Sequence, residues 1–159
     1  MDFTLIIQEP SSGEPNPHVH MGIGTMAAAV DALDALGMIS HSSARPDPPR
    51  PEDFGVTEAE TERWRGTRIP DLPDHVRTFA KALVAMAESE AEHPDGIPCY
   101  KLTSNRGWLV TPREISAAFG WWASASRERR RQATDGLAWW PSWIDFLKRA
   151  RDHGGFRVW

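Results

Sequence analysis

Two histidines separated by one residue, His18 and His20, form the sharpest chemical constellation in the chain. At positions i and i+2 of a β-strand both imidazoles project to one face, the arrangement that paired imidazole ligands adopt in several metal sites. A catalytic zinc centre needs a third protein ligand and an open position. His41, His75, His93, His153 or a carboxylate would have to supply that ligand, and the sequence does not choose among them. The flanking Pro17 and Gly22 suit a solvent-exposed turn carrying ordinary histidines equally well. Gly22-Ile23-Gly24-Thr25 comes next, ahead of a helical pattern, with the outline of a phosphate cradle, since helix N-termini attract anions. Residue 27 is Ala and no P-loop Lys follows, so neither glycine-rich fingerprint is complete. A tight entry into the helix accounts for the motif.

Arg127-Glu128-Arg129-Arg130-Arg131 is the one dense basic run, and Trp121, Trp122, Trp139 and Trp140 flank it on both sides. Indoles beside guanidiniums supply what base stacking and phosphate attraction require. A solvated helix end explains the run without a ligand: on a helix these residues spread around the cylinder, and Glu128 interrupts them. Adjacent tryptophans on a helix point about 100° apart, so at most one of each pair faces a core fully. The other must be part-exposed, or covered by the Pro-rich loop, a second subunit or a ligand. Asn105 and Trp108, in and beside a turn at 104–107, join these as candidate binding residues. Tryptophan is also the largest core residue, and packing alone is the plainer account of its abundance. Cys99, next to Pro98 in a strand-like run, reads as an inert buried thiol. No G-x-S-x-G, S-x-x-K, H-E-x-x-H or Asp-x-Asp pattern occurs.

These residues sit in 159 positions with a formal net charge of −4, which fits one soluble domain, 1–159. A single cysteine excludes an intramolecular disulfide framework and a Cys-based zinc site. No apolar run approaches the roughly 20 residues of a membrane helix. The acidic start and its short apolar stretch do not suit a secretory signal, so a cytoplasmic location is expected, with no membrane contact. The net charge conceals an asymmetry. Residues 1–96 carry 7 basic and 17 acidic side chains, whereas 97–159 carry 11 basic and 5 acidic. Seven of the eight tryptophans lie on the basic side. Arg outnumbers Lys 15 to 3, which points to a GC-rich genome and weakens any inference that Arg was chosen here for phosphate geometry.

The elements that must position these groups read as α+β. Strands are expected at 3–8 and 18–21, pairing with each other. A helix follows, with Thr25 as N-cap, Met26, Val30, Leu33 and Leu36 on its apolar face and Gly37 as its stop. Residues 40–56, with Pro46, Pro48, Pro49 and Pro51, read as an extended loop. Thr57-Glu58-Ala59-Glu60 is a capping box, and a longer helix is expected over 74–92. Residues 99–103 and 108–111 bracket Ser104-Asn105-Arg106-Gly107 as a hairpin. Thr111-Pro112-Arg113-Glu114 opens a helix, a last helix begins near Trp139, and Phe156 to Trp159 closes the chain as a strand. The expected architecture is a small, mostly antiparallel sheet of four or five short strands with four or five helices.

Ser104-Asn105-Arg106-Gly107-Trp108 with Val110-Thr111-Pro112, the Trp139–Ala150 stretch and His153-Gly154-Gly155-Phe156-Arg157-Val158 resemble a loose group of small bacterial proteins, mainly actinobacterial. That group shares an S-N-D-G-like hairpin, a helix after V-T-P, a late W-x-x-F-[IL] helix and a closing G-G-F-x-[VI] strand. Arg106 departs from it where an acidic residue is usual. The opening from His18 to Met26 is more faintly similar to phage and bacterial proteins with a T-H-N start, but the Asn is missing here. The resemblance covers about 60 residues and implies fold, not activity, because its motifs are turn and packing signals.

The sequence therefore leads to a non-enzymatic interaction protein of bacterial or phage origin, engaging a protein partner or itself through the Trp-rich, basic C-terminal region. An acidic first part facing a basic second part also permits head-to-tail association. A nucleic-acid or nucleotide binder using indole stacking and Arg127 to Arg131 is the alternative, and a small metal-dependent enzyme built on His18 and His20 is the third. No cofactor is expected.

Overall fold

The computed structural model describes residues 2–13 and 16–159. The stretch 11–17 between the two expected strands, rich in Ser, Gly and Pro, lies partly outside the described residues. Alternation of apolar and polar side chains makes Asp2–Ile7 strand β1, with Phe3, Leu5 and Ile7 buried. His18–Gly22 is β2, antiparallel to β1 and in register Thr4 to His20 and Ile6 to His18. Phe156–Val158, the last strand β6, pairs with the other edge of β1, and Trp108–Val110, β5, pairs with β6. The order β2-β1-β6-β5 is antiparallel throughout, so the expected α+β class holds. A second ladder, Ile39–Ser40 (β3) beside Ile97–Pro98 (β4), is parallel. Gly96 permits it: a Cβ there would lie 2.6 Å from the Met38 carbonyl oxygen.

Helix α1 spans Ile23–Ala35, and Gly37 at φ +77° turns the chain out of it. Its N-cap is Gly22 with no side-chain cap, so Thr25 lies inside the first turn and not at the cap expected for it. Thr111 does cap α5, Pro112–Ser124, through a complete capping box with Glu114. Residues 124–131, where helical periodicity fades in the sequence, contain a separate helix. Ser126 accepts from Arg129 N at 3.1 Å and starts α6, Arg127–Ala133, a helix with no buried residue. Helix α7 covers Trp140–Asp152 and packs on α5. Together these helices bury Met26, Leu33, Ile115, Trp143, Phe146 and Leu147 against one face of the sheet.

The hairpin expected at 99–111 does not form. Cys99–Leu102 is a single helical turn, α4, and β5 takes β6 as its partner instead. In place of the strand, the helical turn carries the Lys101 ammonium inward to Glu114. Both side chains are 0% exposed. Lys101 Nζ donates to Glu114 Oε1 at 2.7 Å and Oε2 at 3.0 Å, and to the Leu109 carbonyl at 2.7 Å. Glu114 Oε2 also accepts from Thr111 N at 2.9 Å, so the capping carboxylate and the ion-pair carboxylate are the same group. Burial pushes the lysine below its usual pKa range and the glutamate above its own, and the opposing charge counters both shifts.

Contacts divide the chain into two compact units, 1–44 with 90–159 and 45–89, where the sequence suggests one body. The second begins in the Pro-rich stretch. Its 3-10 turn at Pro51–Phe54 ends on Gly55 at φ +67°. Helix α2, Glu58–Arg63, has the predicted capping box, and α3, Asp74–Ala87, stops five residues short of the expected end. Val56, Leu72, Val76 and Phe79 form its core, with Phe54, Trp64 and Ile69 packed against them. Glu60 accepts from Thr57 N at 3.0 Å and lies 2.8 Å from His75 Nε2. The Thr57 amide first, then His75, lower its carboxyl to about 2.

Two outcomes follow for stability. Glu114→Ala strands a buried ammonium and should cost about 3–5 kcal/mol in denaturant unfolding, whereas Lys101→Met with Glu114→Leu should cost much less. Glu60 is lower in the folded chain than in the unfolded one, so its contribution is complete above the ordinary carboxyl value and is lost as pH falls to about 2. The difference in thermal midpoint between wild type and Glu60→Gln should therefore be present at neutral pH and vanish at about pH 2.

Candidate functional site

Helices α5, α6 and α7 bring part of the sequence-derived cluster together. Trp122, half-buried on α5, lies 6.1 Å from Trp140 at the start of α7, and Trp139 lies 6.2 Å from Trp140, centroid to centroid. The Arg130 guanidinium sits 5.3 Å from the Trp122 ring centre, close enough for a cation–π contact. Trp140 is 5% exposed and forms the inner rung of this ladder, with half-buried Trp122 and Trp139 on either side. The 100° rule thus resolves the second pair as one core and one surface-reaching ring. The Trp140 and Trp143 indole N–H groups and Arg130 Nε are buried without a hydrogen-bond acceptor, so ring packing and not hydrogen bonding holds the ladder.

Beyond Trp139 the surface dips into a cavity of about 160 Å³ lined by Val19, His20, Met21, Thr25, Ser142 and Trp143. Its lining is chiefly apolar. Pro141 in the first turn of α7 fixes the chain that carries Trp139 and Trp140 to this position.

The other candidates go elsewhere. Trp121 is 51% exposed, donates from Nε1 to the Asp95 carbonyl at 2.7 Å and lies over Gly37, away from Trp122. Trp108 is fully buried, donates to Ser104 Oγ at 2.9 Å and meets Tyr100 edge-on, so its ring offers no face to a ligand. Asn105 stands exposed in the loop before β5. The basic run does not make a stripe. Arg129 Nε donates to the Ala35 carbonyl at 2.8 Å, closing the C-terminus of α1. Arg131 pairs with Glu128 at 2.9 Å, Arg130 covers Trp122, and Arg127 is exposed.

His18 and His20 do share one exposed face of β2, and His20 Nδ1 lies 3.2 Å from Thr4 Oγ1. Among the described residues no group of three or more His, Cys, Asp or Glu side chains converges on a metal position. Cys99 is half-buried and burial raises its thiol pKa, which disfavours the thiolate a nucleophile needs. A wider cleft of about 620 Å³ opens between the start of α5 and the end of α7, lined by His93, Arg113, Ser116, Arg151 and Asp152. Both arginines there have carboxylate partners, Glu90 and Asp152.

The charge asymmetry of the sequence does not survive folding. The unit of 1–44 and 90–159 holds 11 basic and 13 acidic side chains, and 45–89 holds 7 and 9. Residues 1–44 contain no Lys or Arg, and their strands and helix interleave with the basic C-terminal elements.

No protein-family model, curated protein or solved structure matches the chain.

Replacing the inner ring should separate packing from surface roles. Trp140→Ala is expected to lower stability by about 3–5 kcal/mol, and Trp121→Ala by about 1 kcal/mol or less, as read from urea midpoints.

Proposed function

We propose that this chain is a non-enzymatic interaction protein that engages another protein surface, its own or a partner's, through Trp122, Arg130 and Trp139. The observation that carries the reading is the half-buried Trp139 at the lip of an apolar cavity, backed by the buried Trp140. Tryptophan and arginine are the side chains that dominate protein-interface energetics, and they do so where a rigid ring borders a pocket that a partner side chain can fill. A cavity of about 160 Å³ suits one apolar side chain better than a substrate, since small-molecule sites run to roughly 300–1,000 Å³. Arg129 and Arg131 are engaged in intramolecular contacts, which favours this reading over phosphate binding by Arg127 to Arg131.

A photo-crosslinking amino acid at Ser142, on the cavity wall, tests this in cells of the source type. Discrete protein adducts are expected, absent when the probe replaces Glu58 on α2 and lost in a Trp139→Ala background. An adduct of twice the 17.8 kDa chain mass identifies self-association. A probe at 142 that labels nothing beyond the Glu58 control overturns the reading.

A further inference from the structure

The sheet face turned away from α1, α5 and α7 carries two rungs. His20, Thr4 and Trp159 stand abreast on one, and His18, Ile6, Arg157 and Leu109 on the next. The first rung is continued past β6 by a reciprocal backbone pair, Thr4 N to Trp159 O at 2.7 Å and Trp159 N to Thr4 O at 2.9 Å. Trp159 is 50% exposed. Its six-membered ring covers Gly107: a Cβ at that position, where φ is +75°, would fall 2.6 Å from the ring. Glycine is therefore the residue that lets the indole lie across the neighbouring strand. Beside it, Arg157 donates from Nε to Gln8 Oε1 and from Nη1 to the Gly107 carbonyl, both at 2.9 Å, which fixes the guanidinium over the sheet.

We infer that this face binds single-stranded nucleic acid, with Trp159 as the stacking platform and Arg157, His18 and His20 toward the backbone phosphates. Three features select that occupant. No side chain in the two rungs is acidic, in a chain with 22 Asp and Glu; the next carboxylate side chain on this face by register is Asp2, one rung out against Gly22. A half-exposed indole held flat on a β-sheet is a platform for an unpaired base, which a duplex keeps stacked inside itself. Trp159 and Arg157 are i and i−2 on one strand, about 7 Å apart, so a base on the ring leaves its own phosphate within reach of the guanidinium. The inference stands apart from the α5–α7 surface and needs none of its residues except that His20 borders both.

The test is fluorescence anisotropy of a labelled oligothymidylate of about 15 nucleotides at low salt, with a duplex of the same length and poly-glutamate as competitors. Binding is expected that weakens with added salt, resists both competitors and quenches tryptophan emission. Trp159→Ala should weaken it about ten-fold or more, and Trp159→Phe should keep most of it. Arg157→Gln should flatten the salt dependence, and Arg127→Gln should change nothing. Circular dichroism of Trp159→Phe and Trp159→Ala confirms that the fold is intact. Absence of binding, equal binding by Trp159→Ala, displacement by poly-glutamate, or loss through Arg127→Gln instead of Arg157→Gln would each overturn the inference.

Discussion

The buried pair of Lys101 and Glu114 sets the terms for the larger unit. Two charges removed wholly from water carry a desolvation cost of several kcal/mol per ion, and only complete hydrogen bonding offsets it. The chain meets that demand from four places at once. Lysine comes from the α4 turn, the carboxylate from the first turn of α5, one acceptor from the Leu109 carbonyl of β5 and one donor from the Thr111 amide. Each must stand where it does for the others to be satisfied. The pair thereby fixes how α5 leaves β5, and with it the direction in which Trp122 is carried. Glu90 extends the network outward, accepting from the Thr111 hydroxyl and from Arg113. Such a pair contributes geometry more than net stability, because an apolar replacement of both partners would satisfy the same volume without a charge to solvate.

That dependence also explains which parts of the fold are legible in the sequence. Elements defined by local chemistry are read correctly: the capping boxes of Thr57 and Thr111, the Gly37 stop, and the alternation of β1, β2 and β6. Elements decided by a distant partner are not. Cys99 to Thr103 has strand-like composition, and nothing in its neighbourhood reveals that Lys101 must reach a carboxylate thirteen positions on. The helix at 127–133 has no apolar stripe to announce it; only the Ser126 cap does. The β3–β4 ladder is two residues on each side and joins segments 58 positions apart, which no local pattern encodes.

The same division applies to the candidate surfaces. Counting tryptophans and charges along the chain suggests one basic, aromatic region, because sequence order treats 97–159 as a place. In the fold residues 1–44 and 90–96 share one unit with that region, and their eight carboxylates outweigh its excess of six positive charges. What remains is a matter of rings. Trp108, Trp140 and Trp143 are core, Trp121 is tied to Asp95, Trp122 and Trp139 edge one surface, and Trp159 lies on another. The signal for Trp159 was present in the alternation Phe156-Arg157-Val158-Trp159, which puts Arg157 and Trp159 on the face opposite the core.

Sheet geometry gives that last placement its weight. In the order β2-β1-β6-β5 helices α1, α5 and α7 occupy one face, so every second residue of the four strands faces away from them. A solvated face ordinarily carries charged or polar side chains of both signs. Here the two central rungs hold two imidazoles, a guanidinium, a hydroxyl, an indole and two aliphatic chains, with no acid among them. The indole is kept in place by Gly107, whose missing side chain would otherwise occupy the same volume. Gly107 stands just before β5 at φ +75°, a conformation glycine adopts without steric cost, and its missing Cβ is also what leaves room for the Trp159 ring. That ring is held half in solvent, a placement that packing of the core alone does not require.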